Sequence, residues 1–247
     1  MTSEDEDLKG ESDFPQTRWS MVQKAANPNG PGSFEALSEL CEEYWYPLYA
    51  FVRSQGAPPE DAADEVQGFF VALLQKDLLE SADRNKGKLR SFLIHALKKY
   101  RSNEYRSKQT QKRGGGIPHV SIDQEWAEGR FEAEADHGLT PEQMLDRSWA
   151  RLLLDNVISE LMQEFSNQGK ISEFRLLSTF LVRKPDDGAY LEVAAKLGIS
   201  DGNVKVRIHR MRAKYRDLLE HKLRQTLDPE EENALENEKA YLLSTLR

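Results

Sequence analysis

The chain has 247 residues, 38% hydrophobic and 31% charged, with a formal net charge of −8. That length accommodates one large or two small domains, and the balance excludes a fibre, a membrane protein and a chain too polar to fold. The single cysteine, Cys41, excludes an internal disulfide and a multi-cysteine zinc site.

The opening "MTSEDEDLKGESDF" is acidic and carries neither a basic leader nor an apolar core, so residues 1–32 read as an acidic extension. With no apolar run long enough to span a bilayer, a cytoplasmic location and no membrane partner are expected. A helix is predicted from residue 33 to about 55, "SFEALSELCEEYWYPLYAFVRSQ", capped by Ser33 and apolar at Phe34, Leu37, Leu40, Tyr44, Leu48, Phe51 and Val52, with Pro47 as a site for a kink. Cys41 falls at helical spacing from Leu37, Leu40 and Tyr44 and reads as a buried structural thiol. After "GAPP", "EDAADEVQGFFVALLQKDLL" predicts a second helix with Ala62, Val66, Phe69, Phe70, Leu73 and Leu74 inward. A third, from residue 89 to about 108, turns Phe92, Leu93, Ala96, Leu97 and Tyr100 to the core. No period-two pattern competes with these helices.

Residues 109–139 lack a sustained apolar face and read as an acidic linker holding a short helix near residues 126–134. Thr140 as N-cap, Pro141 at the first helical position and Gln143 two residues further on mark a new start. Helices are predicted over residues 141–165, 171–182, 191–197 and 202 to about 227, and the acidic tail from Asp228 forms either a terminal helix or a frayed end. The expected fold is therefore all-α: two small helical domains, residues 33–108 and 140–227, joined by an acidic linker, the second containing a helix-turn-helix.

Charge is segregated along this framework. Residues 84–113 contain eleven Lys or Arg against one acid, Glu104, while acid collects at residues 1–13, 123–146 and 228–239. In the C-terminal part, Gly198 suits a left-handed turn, Ile199 plugs it, and Ser200 or Asp201 caps the next helix. That helix has an inward stripe of Val204, Ile208, Met211 and Tyr215, opposite Asn203, Lys205, Val206, Arg207, His209, Arg210, Arg212 and Lys214. Its form is that of a recognition helix, whose N-terminal residues meet base edges while cations hold phosphate; an ordinary solvated basic helix is the alternative. The third helix interleaves Lys98, Lys99, Arg101, Arg106 and Lys108 with Tyr100 and Tyr105, a pattern suited to single strands, or to a basic helix packed by its tyrosines. For Tyr100 packing is the stronger reading.

Together these segments resemble a bacterial RNA polymerase sigma factor of the extracytoplasmic-function (ECF) type. "EDAADEVQGFF" looks like the family's acidic helix, "LRSFLIHALKKYRSNEYR" like its promoter-melting segment, and "YLEVAAKLGISDGNVKVRIHRMR" like the domain that reads the minus-thirty-five element. "TRWS", "YWYPLYAFVR" and "KRGGG" are similar to a planctomycete branch of these factors. Phe92 and Lys99 stand where the melting segment usually has Trp and Asn.

The resemblance implies core RNA polymerase and promoter DNA as partners. It implies that Asp61, Asp64 and Gln67, with Phe70 beneath, contact the largest polymerase subunit; without it they are an ordinary solvated face. The loop Arg84, Asn85, Lys86, Gly87 and Lys88 would hold a flipped minus-ten base, Arg90 would also contact minus-ten DNA, and Lys98, Lys99, Arg101 and Arg106 would lie on the separated strands. Asn203, Lys205, Val206, Arg207, His209 and Arg210 would meet the minus-thirty-five duplex. An anti-sigma factor or a Ser/Thr kinase is a further candidate partner, and the acidic tail either remains a frayed solubilising end, the stronger reading, or folds back to restrain the recognition helix.

No phosphate-binding loop, HExxH motif or histidine ligand spacing is present, so no catalytic residue, metal or cofactor is expected. Two other readings remain: a stand-alone helix-turn-helix regulator, and an adaptor or anti-sigma-like protein whose basic faces bind acidic partners.

Overall fold

A computed structural model describes residues 18–25, 30–74, 88–108, 123–135, 138–181, 188–227 and 233–246. Among these residues there are ten α-helices and no strand: α1 (Arg18–Ala25), α2 (Ser33–Ser54), α3 (Pro59–Leu74), α4 (Leu89–Lys108), α5 (Gln124–Glu134), α6 (Pro141–Asn167), α7 (Ile171–Leu177), α8 (Ala189–Leu197), α9 (Asp201–Thr226) and α10 (Ala234–Thr245). A 3-10 turn, Ser178–Phe180, follows α7, so the helix expected to continue to residue 182 tightens after Leu177. Val182 itself lies outside the described residues.

Helix α2 is the central element. Thirteen of its 22 residues are buried, including Tyr44, Trp45, Tyr46, Tyr49 and Phe51. It continues through Pro47. Ser33 is inside the first turn rather than at the cap: Gly32 takes the left-handed cap position at φ 76°, and the Ser33 hydroxyl donates to the Ala25 carbonyl at 3.3 Å, tying α1 to α2. Cys41 is buried, and burial followed by the neighbouring Glu42 charge pushes its thiol up to about 12. Helices α3 and α4 meet closely at Gly68, where a Cβ would lie 2.4 Å from the Tyr100 hydroxyl. Tyr100 also sits 6.0 Å from the Phe69 ring, in agreement with the packing reading.

The segment read as a linker contains α5, which packs on α2 by polar contacts. Asp123 caps it, accepting from the Trp126 amide at 2.9 Å. The Glu134 carboxylate is buried and accepts from Tyr46 Oη at 2.9 Å, Ser148 Oγ at 3.2 Å and Arg130 Nε at 2.8 Å. Glu128 accepts from Arg53 Nε at 2.8 Å and from the Tyr49 hydroxyl. Apart from the fully buried Ala127, the inward side of α5 is held by carboxylates with partners, so apolar periodicity marks it only as the short helix expected near residues 126–134.

Helix α6 begins as expected: Thr140 Oγ1 accepts from the Gln143 amide at 3.2 Å, and Gln143 Oε1 accepts from the Thr140 amide at 2.9 Å. Its first half contributes Met144, Leu145, Trp149, Ala150 and Leu153 to a core shared with α1–α5, the C-terminal end of α9 and α10. Its second half contributes Leu161 to another core with Phe174, Leu177, Phe180, Val193, Ala194, Val204, Ile208 and Met211. Helices α6 and α9 therefore run through both hydrophobic clusters.

Candidate nucleic-acid interface

Helices α8 and α9 are joined by a short turn. Gly198 closes α8 in the left-handed conformation (φ 65°, ψ 34°), the Ile199 amide bonds back to the Ala194 carbonyl at 3.1 Å, and the Ser200 hydroxyl caps α9 by accepting from the Asn203 amide at 3.3 Å. Val204, Ile208 and Met211 are buried, with Tyr215 packed beside them, which fixes the rotation of α9. Asn203, Lys205, Val206, His209 and Arg210 consequently face solvent on one side, with Val206 47% exposed.

The cations of α9 are not equivalent. Lys205 Nζ pairs with Asp201 at 2.8 Å and stands over the Tyr190 ring, and this bond holds the Asp201 carboxyl below its ordinary range. Arg207 reaches Glu173 at 2.7 Å, and Lys214 pairs with Glu164. Arg212 serves the fold, donating from Nε and Nη2 to the Phe180 carbonyl at 3.0 and 2.6 Å. Arg210 is exposed at the centre of the outward face.

On α4, Lys98 and Lys99 are exposed; Lys98 pairs with Glu142 at 2.6 Å, which lowers that carboxyl. Arg101 pairs with Glu65 at 2.5 Å and donates to Gln55. Arg90 sits quite differently, buried at 4% exposure. Its Nε donates to Asp146 at 2.6 Å and its Nη1 to Glu238 at 2.6 Å, while Trp149 and Tyr241 flank the guanidinium. Lys88 donates to the other Glu238 oxygen. Burial opposes the charge on Arg90, but the bonds to Glu238 and the charges of Glu238 and Asp146 outweigh it and raise its pKa. Arg84, Asn85, Lys86 and the Arg106 side chain lie outside the described residues.

A third surface is the outer side of α3, where Asp61 and Asp64 are exposed, Gln67 is half-buried and Phe70 is buried against Phe69, 5.7 Å between ring centres. These four residues share one helix, with acid outermost. Among the described residues, no group of three His, Cys, Asp or Glu is placed to hold a metal ion, and no helix is long and apolar enough to cross a membrane. A shallow groove of about 650 Å³ between α5 and α6 is lined by Trp126, Arg130, Glu134, Arg151, Leu154 and Asp155; its Arg130 is already paired with Glu134 and Asp155.

Sequence reasoning missed Asp146 and Glu238, which together with Tyr241 organise the head of α4. One signal was present: Glu238 falls three residues after Leu235 and four before Leu242, a carboxylate inside an apolar stripe. Within the acidic tail, α10 folds back so that its buried Glu238 meets Lys88 and Arg90 and its Lys239 pairs with Glu220 near the end of α9 at 2.5 Å, away from the outward face around Arg210; residues 228–232 lie outside the described residues.

The family model described as ECF sigma factor matches residues 50–221, from the end of α2 to near the end of α9. Neither the curated proteins nor the solved structures contain a match.

Proposed function

Because this chain belongs to the ECF sigma factor family, a family of non-enzymatic factors that act in transcription initiation with core RNA polymerase and promoter DNA, we propose a division of labour among its three surfaces. Helices α8 and α9 act as a helix-turn-helix that reads the minus-thirty-five element. The α4 region, with the basic segment before it, receives the minus-ten element and favours strand opening. The acid of α3 docks the polymerase. Under this reading residues 33–108 and 140–227 are the two working modules, and a separate anti-sigma factor or a kinase would act by controlling their access to polymerase.

The outward face of α9 carries the proposal. A buried stripe sets the helix so that Asn203, Val206, His209 and Arg210 project together from its first three turns, the part of a recognition helix that enters the major groove. Arg210 has the planar fork that matches guanine O6 and N7, and Val206 offers an apolar contact for a thymine methyl. Lys205 and Arg207 have carboxylate partners that phosphate can replace, so they contribute affinity without reading sequence. On α3, Asp61 and Asp64 present charge to a basic protein surface and raise the encounter rate more than the final affinity.

Run-off transcription with core enzyme and genomic promoter fragments tests this reading. Arg210→Ala should cost about 1–3 kcal/mol of promoter binding and relax base choice upstream while leaving the fold intact. Asp64→Lys should weaken core binding in a pulldown. If both variants behave as wild type, or the wild type supports no synthesis, the assignment fails.

A further inference from the structure

Helix α10 buries the Glu238 side chain completely, at 0% exposure, between Leu235 and Leu242. A carboxylate in such a position is costly unless charge and hydrogen bonds compensate. Here both come from the head of α4: Arg90 donates to Oε1 at 2.6 Å and Lys88 donates to Oε2. Tyr241, one turn further along, sets its ring 4.8 Å from Lys88 Nζ and 5.4 Å from the Arg90 guanidinium, and its hydroxyl donates to Asp146 of α6. Three helices therefore close on two cations. These cations belong to the surface assigned above to minus-ten DNA, and donors held by carboxylates are withheld from phosphate.

We propose that α10 is an intramolecular latch: its Glu238 occupies Lys88 and Arg90 in place of nucleic acid phosphate, keeps α4 against α6, and has to leave before that face receives promoter DNA. The proposal rests on the promoter reading. Dimensions support it. Arg90–Asp146 and Lys98–Glu142 tie α4 to the start of α6, while Leu161 near its other end belongs to the core of α8 and α9. Helix α6, with 27 residues, is about 40 Å long. Elements centred at minus ten and minus thirty-five are about 25 base pairs apart, about 85 Å of duplex. The helix that joins the two hydrophobic clusters is about half that long, and parting α4 from α6 would let the two surfaces reach elements so far apart.

The latch is also built to release. Only Ala234, Leu235, Glu238 and Leu242 of the twelve α10 residues are buried, against thirteen of 22 in α2. An element with so little apolar burial opens at low cost. A buried ion pair adds little net stability while both partners are present, and a polyanion competes for the same donors.

The test uses the full-length chain and a forked DNA whose single-stranded arm supplies the polyanion, with binding read by fluorescence anisotropy at low salt. Glu238→Gln removes the charge that holds Lys88 and Arg90; Tyr241→Ala, at a ring 38% exposed, is the second variant if the first does not fold by circular dichroism. Either should tighten binding about tenfold if the wild type is nine-tenths latched. Hydrogen exchange in the wild type should show α10 losing protection in the polymerase–promoter complex. Unchanged affinity in a folded variant, or α10 as protected in that complex as in the free chain, overturns the latch. Run-off synthesis separates the two readings: synthesis with α10 still protected refutes the latch alone, whereas α10 release on DNA without synthesis refutes the promoter reading alone.

Discussion

Replacing Glu134 by Ala tests whether α5 is a structural part of the fold. Its carboxylate accepts the Tyr46 hydroxyl at 2.9 Å, the Ser148 hydroxyl at 3.2 Å and Arg130 Nε at 2.8 Å, at a site only 7% exposed. Truncation leaves the buried Tyr46 hydroxyl without an acceptor and Ser148 with only the Tyr46 oxygen beside it. Arg130 keeps Asp155 at 2.9 Å and the rings of Tyr46 and Trp126, so its charge is not abandoned. A hydrogen bond to a charged group is worth about 1.5–3 kcal/mol, and breaking a buried pair by removing one partner costs about 3–5 kcal/mol. The bonds share one carboxylate and do not add, so the expected loss is about 4 kcal/mol. For a chain of this length that lowers Tm by about 10 °C. Thermal and urea unfolding followed by circular dichroism measure it. Glu132→Ala, exposed on the same helix, should stay within about 0.5 kcal/mol of wild type. Pairing Glu134→Ala with Tyr46→Phe should show a coupling of at least about 1 kcal/mol. A Glu134→Ala protein that unfolds within about 1 kcal/mol of wild type would refute the account of α5.

Gly68→Ala should destabilise by about 1–3 kcal/mol, because its Cβ falls 2.4 Å from Tyr100 Oη; adding Tyr100→Phe should recover most of the loss, since the next nearest ring atom is 3.5 Å away. Arg212→Ala should lower Tm through the lost bonds to the Phe180 carbonyl, about 1.5–3 kcal/mol, whereas Arg210→Ala should leave Tm unchanged and act only on DNA binding. Glu238 is pushed up by burial, but Arg90 and Lys88 outweigh this and hold it below the usual carboxylate range. Its contribution is thus fully present above the unfolded value of about 4.3 and is lost as pH falls through the lower folded value, so α10 should gain hydrogen exchange below about pH 4, a response absent in Glu238→Gln. The Cys41 thiol, pushed up to about 12 by burial and Glu42, should resist thiol reagents at pH 8 in the folded chain and react once it is unfolded.

Local chemistry determined a good deal of this protein without any structure. The starts of α6 and α9 are written in Thr140, Pro141, Gln143 and Ser200, because caps are contacts between residues two or three apart. The inward stripe Val204, Ile208, Met211 follows from helical spacing, and with it the outward face of Arg210. What only the tertiary structure decided is which charges are used internally. Arg90 and Lys98 look alike in the sequence, two cations on one helix, yet Arg90 is enclosed by Trp149, Asp146 and Glu238 while Lys98 stays exposed. Glu134 and Glu132 are likewise two acids of one acidic stretch, one buried under Tyr46 and one in water. The partners that separate each pair lie 148 residues away for Arg90–Glu238 and 88 for Tyr46–Glu134. Hydrophobic periodicity describes faces that avoid water and carries no term for a buried charge, whose position is set by the partner that compensates it.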